Sequence, residues 1–234
     1  MATTRVSRSG SISLETGLTP KHREGAKRVS PLAPASASFG VAFGVLAVTA
    51  GMGVVAPIVM SATTFAGAAQ FAAASVLRDG GSVLAAVAAA VLLNARYLAI
   101  SVSVAPAFRG SRLRRLLEGQ LIVDESWAVA QIGGGRIERR LLVGAGLLLY
   151  PCWVGGTALG VFGGDLLGDP KRLGLDAAFP ALFLALLATL LVSRRALLAA
   201  AAGGLTALVL LPFAPAGVPV IAASAVSLVG LARR

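Results

Sequence analysis

The sequence predicts an all-α, polytopic membrane helical bundle of about six to seven membrane segments. Of its 234 residues, 56% are hydrophobic and 13% charged, and the mean hydropathy is +0.83. Uncharged windows of roughly 17 residues or more, enough for a helix to cross a bilayer's hydrocarbon, recur at 34–52, 54–77, 141–164 and 177–193. A further stretch, 80–108, is interrupted only by Arg96, and the uncharged run 196–232 carries Pro212, Pro215 and Pro219. Proline cannot continue a helical hydrogen-bond ladder, so that last run predicts two short helices joined by a prolyl turn.

Residues 1–30 hold six Lys or Arg among many Ser and Thr, with almost no core-forming side chains, and predict a disordered basic tail before a single transmembrane domain at 31–234. The small residues Ala35 to Ser38 come before the first apolar stretch rather than after it, which argues against a cleaved secretory signal. In the first span Gly40 and Gly44 form a small-xxx-small pair, and Gly156, Gly160 and Gly164 form a longer one in the fourth. Such faces predict close helix packing rather than substrate contact.

The second segment contains Ser61 to Phe71, SATTFAGAAQF, whose small and polar residues allow backbone to leave the helix where it lines a protein cavity. We therefore expect a re-entrant or broken helix there. Ser61, Thr63, Thr64 and Gln70 either line a site or bond helix to helix, because an amide such as Gln70 without a partner is costly in hydrocarbon.

Arg96 stands in the middle of the third segment, where a charge costs at least roughly 2.5 kcal/mol and is normally paired or used. Asn94 and Tyr97 beside it make a small polar site. After the basic cluster Arg109, Arg112, Arg114 and Arg115 comes the short apolar segment 121–132 with Asp124, Glu125, Ser126 and Trp127. Its carboxylates either face Arg96 as a charge relay or gate, or lie in water on a cytoplasmic interfacial helix with Trp127 in the headgroup belt.

The positive-inside rule orders the second half. With Arg136, Arg139 and Arg140 inside, 141–164 runs outward, Asp165 to Asp176 lies outside, 177–193 returns to Arg194 and Arg195, and the last hairpin ends inside at Arg233 and Arg234. The first half conflicts with the rule, because the tail and the 109–115 cluster both favour the cytoplasm while three apolar segments separate them. An outside N-terminus, a re-entrant segment or a crossing by 121–133 would each restore the parity, and the composition of 61–71 favours the re-entrant segment. A constant offset of 114 residues also places Phe39 on Trp153, Phe65 on Phe179, Ser75 on Thr189 and Ser82 on Ala196. That is either an internal repeat of two three-segment halves, inverted if the N-terminus is outside, or the shared composition of apolar helices.

The net charge of +11 does not indicate nucleic-acid binding, because the basic residues sit in short clusters between apolar runs, where they read as loop charges. The single cysteine, Cys152, excludes an intrachain disulfide and lies among apolar neighbours that suggest packing. The only histidine, His22, is in the tail. There is no Gly-x-x-x-x-Gly-Lys phosphate loop, no His or Cys pair at metal-ligand spacing and no aspartate within the long spans, so the sequence predicts no enzyme, no cofactor and no metal.

The stretches Phe39-Gly-Val-Ala-Phe-Gly44, Met60-Ser-Ala-Thr-Thr-Phe-Ala-Gly-Ala-Ala-Gln-Phe71, Asn94-Ala-Arg-Tyr97, Asp124-Glu-Ser126 and Phe179-Pro180 after Asp176 resemble, in order and spacing, the AzlC family of azaleucine-resistance permeases. The resemblance covers about 39–231. It implies the large subunit of a two-component exporter of branched-chain amino acids in the bacterial inner membrane, working with a separate small AzlD-like membrane protein. The family more often has Leu and His around the arginine, where this chain has Ala95 and Tyr97. A titrating histidine is thus absent, and any proton exchange would fall to Asp124 or Glu125.

Together these readings make 31–234 a transport domain in the lipid bilayer. Arg96 would engage the carboxylate of a branched-chain amino acid or pair with Asp124 or Glu125. Gln70, Asn94, Tyr97 and the Ser61, Thr63, Thr64 group would line the site, with Leu, Val and Phe accepting the branched side chain. The alternative is a non-transporting membrane scaffold or assembly subunit, in which Arg96 and Gln70 only hold helices or a partner together.

Overall fold

The computed structural model describes residues 18–133, 136–164, 193–214 and 218–229, together with Leu184, Leu187, Ala188 and Leu191. Among these the chain is helical, and Gln131 and Ile137 form an isolated bridge. Among the described residues three helical stretches, Pro20–Thr49, Val83–Ala107 and Arg139–Gly163, are long and apolar enough to cross a membrane.

The first stretch comprises α1 (Pro20–Val29), a 3-10 turn (Ser30–Leu32) and α2 (Ala33–Thr49). Pro20 opens α1, where its missing N–H is no loss, and Thr19 meets His22 Nδ1 through both its amide (3.0 Å) and its hydroxyl (2.9 Å). Part of the stretch expected to be disordered up to residue 30 is thus helical, and residues 1–17 lie outside the described residues. Lys21 pairs with Glu138, Arg28 donates to the Val129 carbonyl at 3.1 Å, and Gly25 and Val29 are buried. Composition misses this helix because it docks through a glycine and one valine.

Helix α9 (Arg139–Gly163) lies against α1 and α2 along their whole length. A Cβ on Gly25 would overlap the Leu141 carbonyl and one on Gly144 that of His22. Further along, Gly156 lies on Ala37, Gly40 on Trp153, Gly44 on Thr157 and Gly160 on Val41. The partner numbers rise together, so the two rods run parallel and start at the same end, where Lys21, Arg23, Lys27, Arg28, Arg139 and Arg140 gather. The glycine faces are the packing seams that their spacing predicts.

The next segment is broken as expected. Helix α3 (Val55–Thr64) stops at Phe65, which takes the left-handed conformation at φ 44°, and α4 (Gly67–Arg78) starts two residues later. A bulky residue there costs on the order of 1–2 kcal/mol of strain, offset by burial of Phe65 edge-on to Tyr150 at 5.1 Å. Ser61 sits beside Thr157 and Phe65 beside Tyr150, so α3 descends α9 toward the basic end. Phe71 then meets Phe43, and Ala73 and Val76 pack with Met60, so α4 climbs back.

Helix α5 (Val83–Asn94), opened by the Ser82 hydroxyl accepting from Ala85 N at 3.2 Å, and α6 (Arg96–Val104) return to the basic end with a one-residue interruption at Ala95. Between the two basic clusters the chain thus runs away from the basic end through α2, in and back through α3 and α4, and returns through α5 and α6. At that end α7 (Arg112–Gly119) is tied down by Glu118, which accepts from Arg139 Nε at 2.6 Å and from Arg114 Nε at 3.0 Å. Burial alone would raise the Glu118 carboxyl, but hydrogen bonds from Arg139 and Arg114 and their charges hold it below the ordinary carboxylate range. Helix α8 (Asp124–Val129) has six residues, about 9 Å of rise. The 121–133 segment therefore dips into the protein and does not cross.

Helices α10 (Arg194–Leu210) and α11 (Val218–Val229) pack on each other, with α11 against α5, as the prolyl-turn reading of 196–232 expects. The segment 177–193 lies largely outside the described residues. So do the loop 165–176, Phe179 and Pro180, the second-half repeat partner Thr189, and Arg233 and Arg234. Exposed Leu84, Val87, Val91, Leu98 and Val102 give α5 and α6 an apolar outer face suited to lipid.

Candidate functional site

Two polar clusters lie on either side of an apolar cavity of about 160 Å3. The first closes the helix break. Gln70 is fully buried; its Oε1 accepts from Ala66 N at 3.2 Å and from Trp153 Nε1 at 3.1 Å, while its Nε2 donates to Ser61 Oγ at 2.8 Å. Thr157 gives its proton to the Trp153 carbonyl at 3.0 Å, so Ser61 donates to Thr157 Oγ1 at 2.8 Å. The carbonyl of Ala62, freed by the break, accepts from Tyr150 OH at 2.7 Å and Gln120 Nε2 at 3.0 Å. Both acceptor sites of the Gln70 amide oxygen and one of its two N–H groups are thus used inside the protein, as a fully buried amide demands.

The second cluster is open. Arg96, the first residue of α6, points a guanidinium Nη2 at Asp124 Oδ2, 2.8 Å away, and its Cζ lies 5.4 Å from the centre of the Tyr97 ring. Asp124 is held in place by Ser126, a fully buried hydroxyl that accepts from Val123 N at 2.9 Å and donates to the Leu121 carbonyl at 2.9 Å. Trp127 on the same short helix donates to Ser103 Oγ of α6 at 2.9 Å, which fixes α8 against α6. The Arg96 and Asp124 side chains stay 35% and 42% exposed. Arg96 Nε and Asn94 Oδ1 are buried with no hydrogen-bond partner among the described residues.

The cavity joins these parts. Arg96, Tyr97, Asp124 and Glu125 line one side, and Phe39, Phe65, Phe71, Leu149 and Trp153 form the apolar wall. Its size is comparable to the cavity of about 150 Å3 that accepts a benzene-sized guest. Chemically it offers a cation, two carboxylates and an apolar wall, a combination that suits a small zwitterion with a hydrophobic side chain.

The sequence-predicted residues separate accordingly. Arg96, Tyr97, Asp124 and Glu125 come together around the cavity, whereas Ser61 and Gln70 lie behind its wall in the closed network. Asn94, the last residue of α5, sits two residues before Arg96 and does not line the cavity. Thr63 and Thr64 are exposed, and the Thr63 hydroxyl is bonded to its own helix at Val59 O. Trp153, Thr157, Tyr150 and Gln120 were not singled out from the sequence as site residues. Trp153, Thr157 and Tyr150 carry only the signal of their place on the glycine-bearing fourth span, and Gln120 only that of its place just before the 121–132 segment.

A family model described as "AzlC protein" matches residues 31–167, which include every residue of both clusters but not Phe179 and Pro180. The chain is similar to an uncharacterized membrane protein of Archaeoglobus fulgidus, 36% identical over 188 residues, 80% of this chain and 83% of that one. It is also similar to the Bacillus subtilis protein named "Branched-chain amino acid transport protein AzlC", 29% identical over 149 residues, 62% of this chain and 58% of that one. The Escherichia coli "Inner membrane protein YgaZ" is 27% identical over 192 residues, 76% of this chain and 77% of that one. No solved structure matches the chain.

Proposed function

The chain belongs to the AzlC family, and we propose that it exports branched-chain amino acids as the large subunit of a two-component permease in the bacterial inner membrane, with a small AzlD-like subunit as its partner. The observation that carries this reading is the cavity whose charged side holds Arg96, Asp124 and Glu125 and whose other wall is aromatic and aliphatic. In this proposal the substrate carboxylate takes over Arg96 from Asp124. The released Asp124 and the neighbouring Glu125 then face the substrate ammonium, and Phe39, Phe65 and Leu149 receive the branched side chain. Tyr97 holds the guanidinium plane in position. Exchanging one charge partner for another leaves Arg96 paired throughout, which lowers the cost of keeping it at this depth. Asn94 supplies a further acceptor beside Arg96, and Gln70 and Ser61 hold the wall without touching substrate.

With positive-inside orientation the basic end faces the cytoplasm, the transport domain spans the membrane several times, and α3 and α4 form a re-entrant pair entered from outside. The test is efflux of labelled leucine or valine from preloaded cells carrying the chain and its small partner. Arg96→Ala is expected to lower efflux at least tenfold with membrane abundance within twofold of wild type. Unchanged efflux at equal abundance would remove Arg96 from the mechanism, and loss of folded protein instead of activity would favour the scaffold reading.

A further inference from the structure

A second groove, of about 450 Å3, lies at the basic end and away from the transport cavity. Its floor is apolar, made by Val104 at the end of α6, by Phe108 beyond it and by Leu116 and Ile122, while Arg112 and Arg115 of α7 stand at its rim. Both arginines are exposed, and neither has an ion-pair partner among the described residues, in contrast to Arg114 beside them, which is paired with Glu118. Helix α7 also exposes Leu113, Leu116 and Leu117. Alternating arginines and exposed leucines on one short helix describe an element that lies in the headgroup layer, leucines toward acyl chains and guanidinium groups toward phosphates. Its hydrogen bonds through Glu118 to Arg139 keep α7 at this level.

We propose that this groove binds one anionic phospholipid, its phosphate held by Arg112 and Arg115 and an acyl chain laid over Val104, Phe108, Leu116 and Ile122. Charge complementarity selects the occupant: two unpaired guanidinium groups favour a phosphodiester, bidentate in geometry and negative in charge. The apolar floor favours a phosphate that carries hydrocarbon over a free ion. Basic pockets beside membrane helices on the cytoplasmic side are suited to such headgroups.

Native mass spectrometry of the full chain in mild detergent tests this, with titration by dioleoylphosphatidylglycerol, by dioleoylphosphatidylcholine of the same chains, and by inorganic phosphate as a competitor. The phosphatidylglycerol is expected to bind at least fivefold more tightly than the phosphatidylcholine, and millimolar phosphate is expected to leave it in place. R112Q/R115Q is expected to bring the two lipids to equal affinity, and R194Q/R195Q, an arginine pair that does not line the groove, is expected to change nothing. Gly119→Leu supplies an arm that keeps both arginines: Gly119 lines the groove with open space where its Cβ would stand, so the added side chain is expected to weaken phosphatidylglycerol binding about threefold. Equal affinity for the two lipids in wild type overturns the proposal, as does displacement by phosphate or equal loss in R194Q/R195Q. Should R112Q/R115Q fail to fold, unchanged affinity in Gly119→Leu overturns it alone.

Discussion

The Gln70 cluster and the Arg96 cluster face each other across one cavity, yet they are built on opposite terms. Around Gln70, partners from α3, α4 and α9 close a loop of hydrogen bonds with no exposed member except at its edges. Around Arg96, a single ion pair leaves two buried polar atoms unmatched and both charged side chains partly exposed. A closed network resists change because any move orphans a buried group, at about 1–3 kcal/mol each. A half-satisfied one accepts a new partner with little loss. Under the proposed function the two clusters divide the work: one would hold the shape of the wall and the other would meet the solute.

The largest expected effect comes from attacking the frame on which both stand. Gly44→Leu forces a side chain into the Thr157 carbonyl and the Val161 amide, and it is expected to abolish folded protein in the membrane, scored by detergent extraction and size-exclusion elution. Gln70→Leu follows. It leaves Ala66 N and Trp153 Nε1 without a partner, takes from Ser61 Oγ the donor it accepts from, and is expected to lower stability by about 3 kcal/mol, read as a lower melting midpoint in detergent. Recovery of transport per folded molecule in that variant would confirm the division of roles, and normal stability with lost transport would refute it.

Asp124→Asn sharpens the other side of the comparison. It is expected to lower efflux several-fold at normal abundance, and the double variant with Arg96→Ala is expected to fall no further than Arg96→Ala alone, because the two act as one unit. Additive losses would separate them. A smaller effect attaches to Glu118. Its native carboxyl lies below the ordinary value of 4.5, so its pairing stabilises the fold fully above that pH and is lost as pH falls through the lowered native value. Glu118→Gln is thus expected to lower the stability at pH 7 by about 1 kcal/mol, with the gap to wild type closing below pH 4.5. Thr63→Ala, which touches only its own helix, is expected to stay within roughly 0.5 kcal/mol.

How much of this was legible follows from range along the chain. The break at Phe65 was readable in SATTFAGAAQF, since Thr63, Thr64 and Gly67 are weak helix formers packed into five residues. Arg96 announced itself by its charge, and Asp124 was named as a partner because few acidic residues stand among the apolar segments. The closure of the Gln70 network was not readable, because Trp153 and Thr157 lie 83 and 96 residues from the groups they bond. Nor was α1, where docking depends on Gly25 fitting a carbonyl of α9 and not on any apolar stripe.

The seam between α2 and α9 is made where Gly40, Gly44, Gly156 and Gly160 bring main chain against main chain. A contact of that kind has no rotamers to rearrange, and close-packed backbone neither slides nor opens by small steps. The two parallel helices therefore form one rigid spine, and under the proposed export function alternation of the cavity between the two faces of the membrane would fall to α3 through α6, which are interrupted at the left-handed Phe65 and just before Arg96.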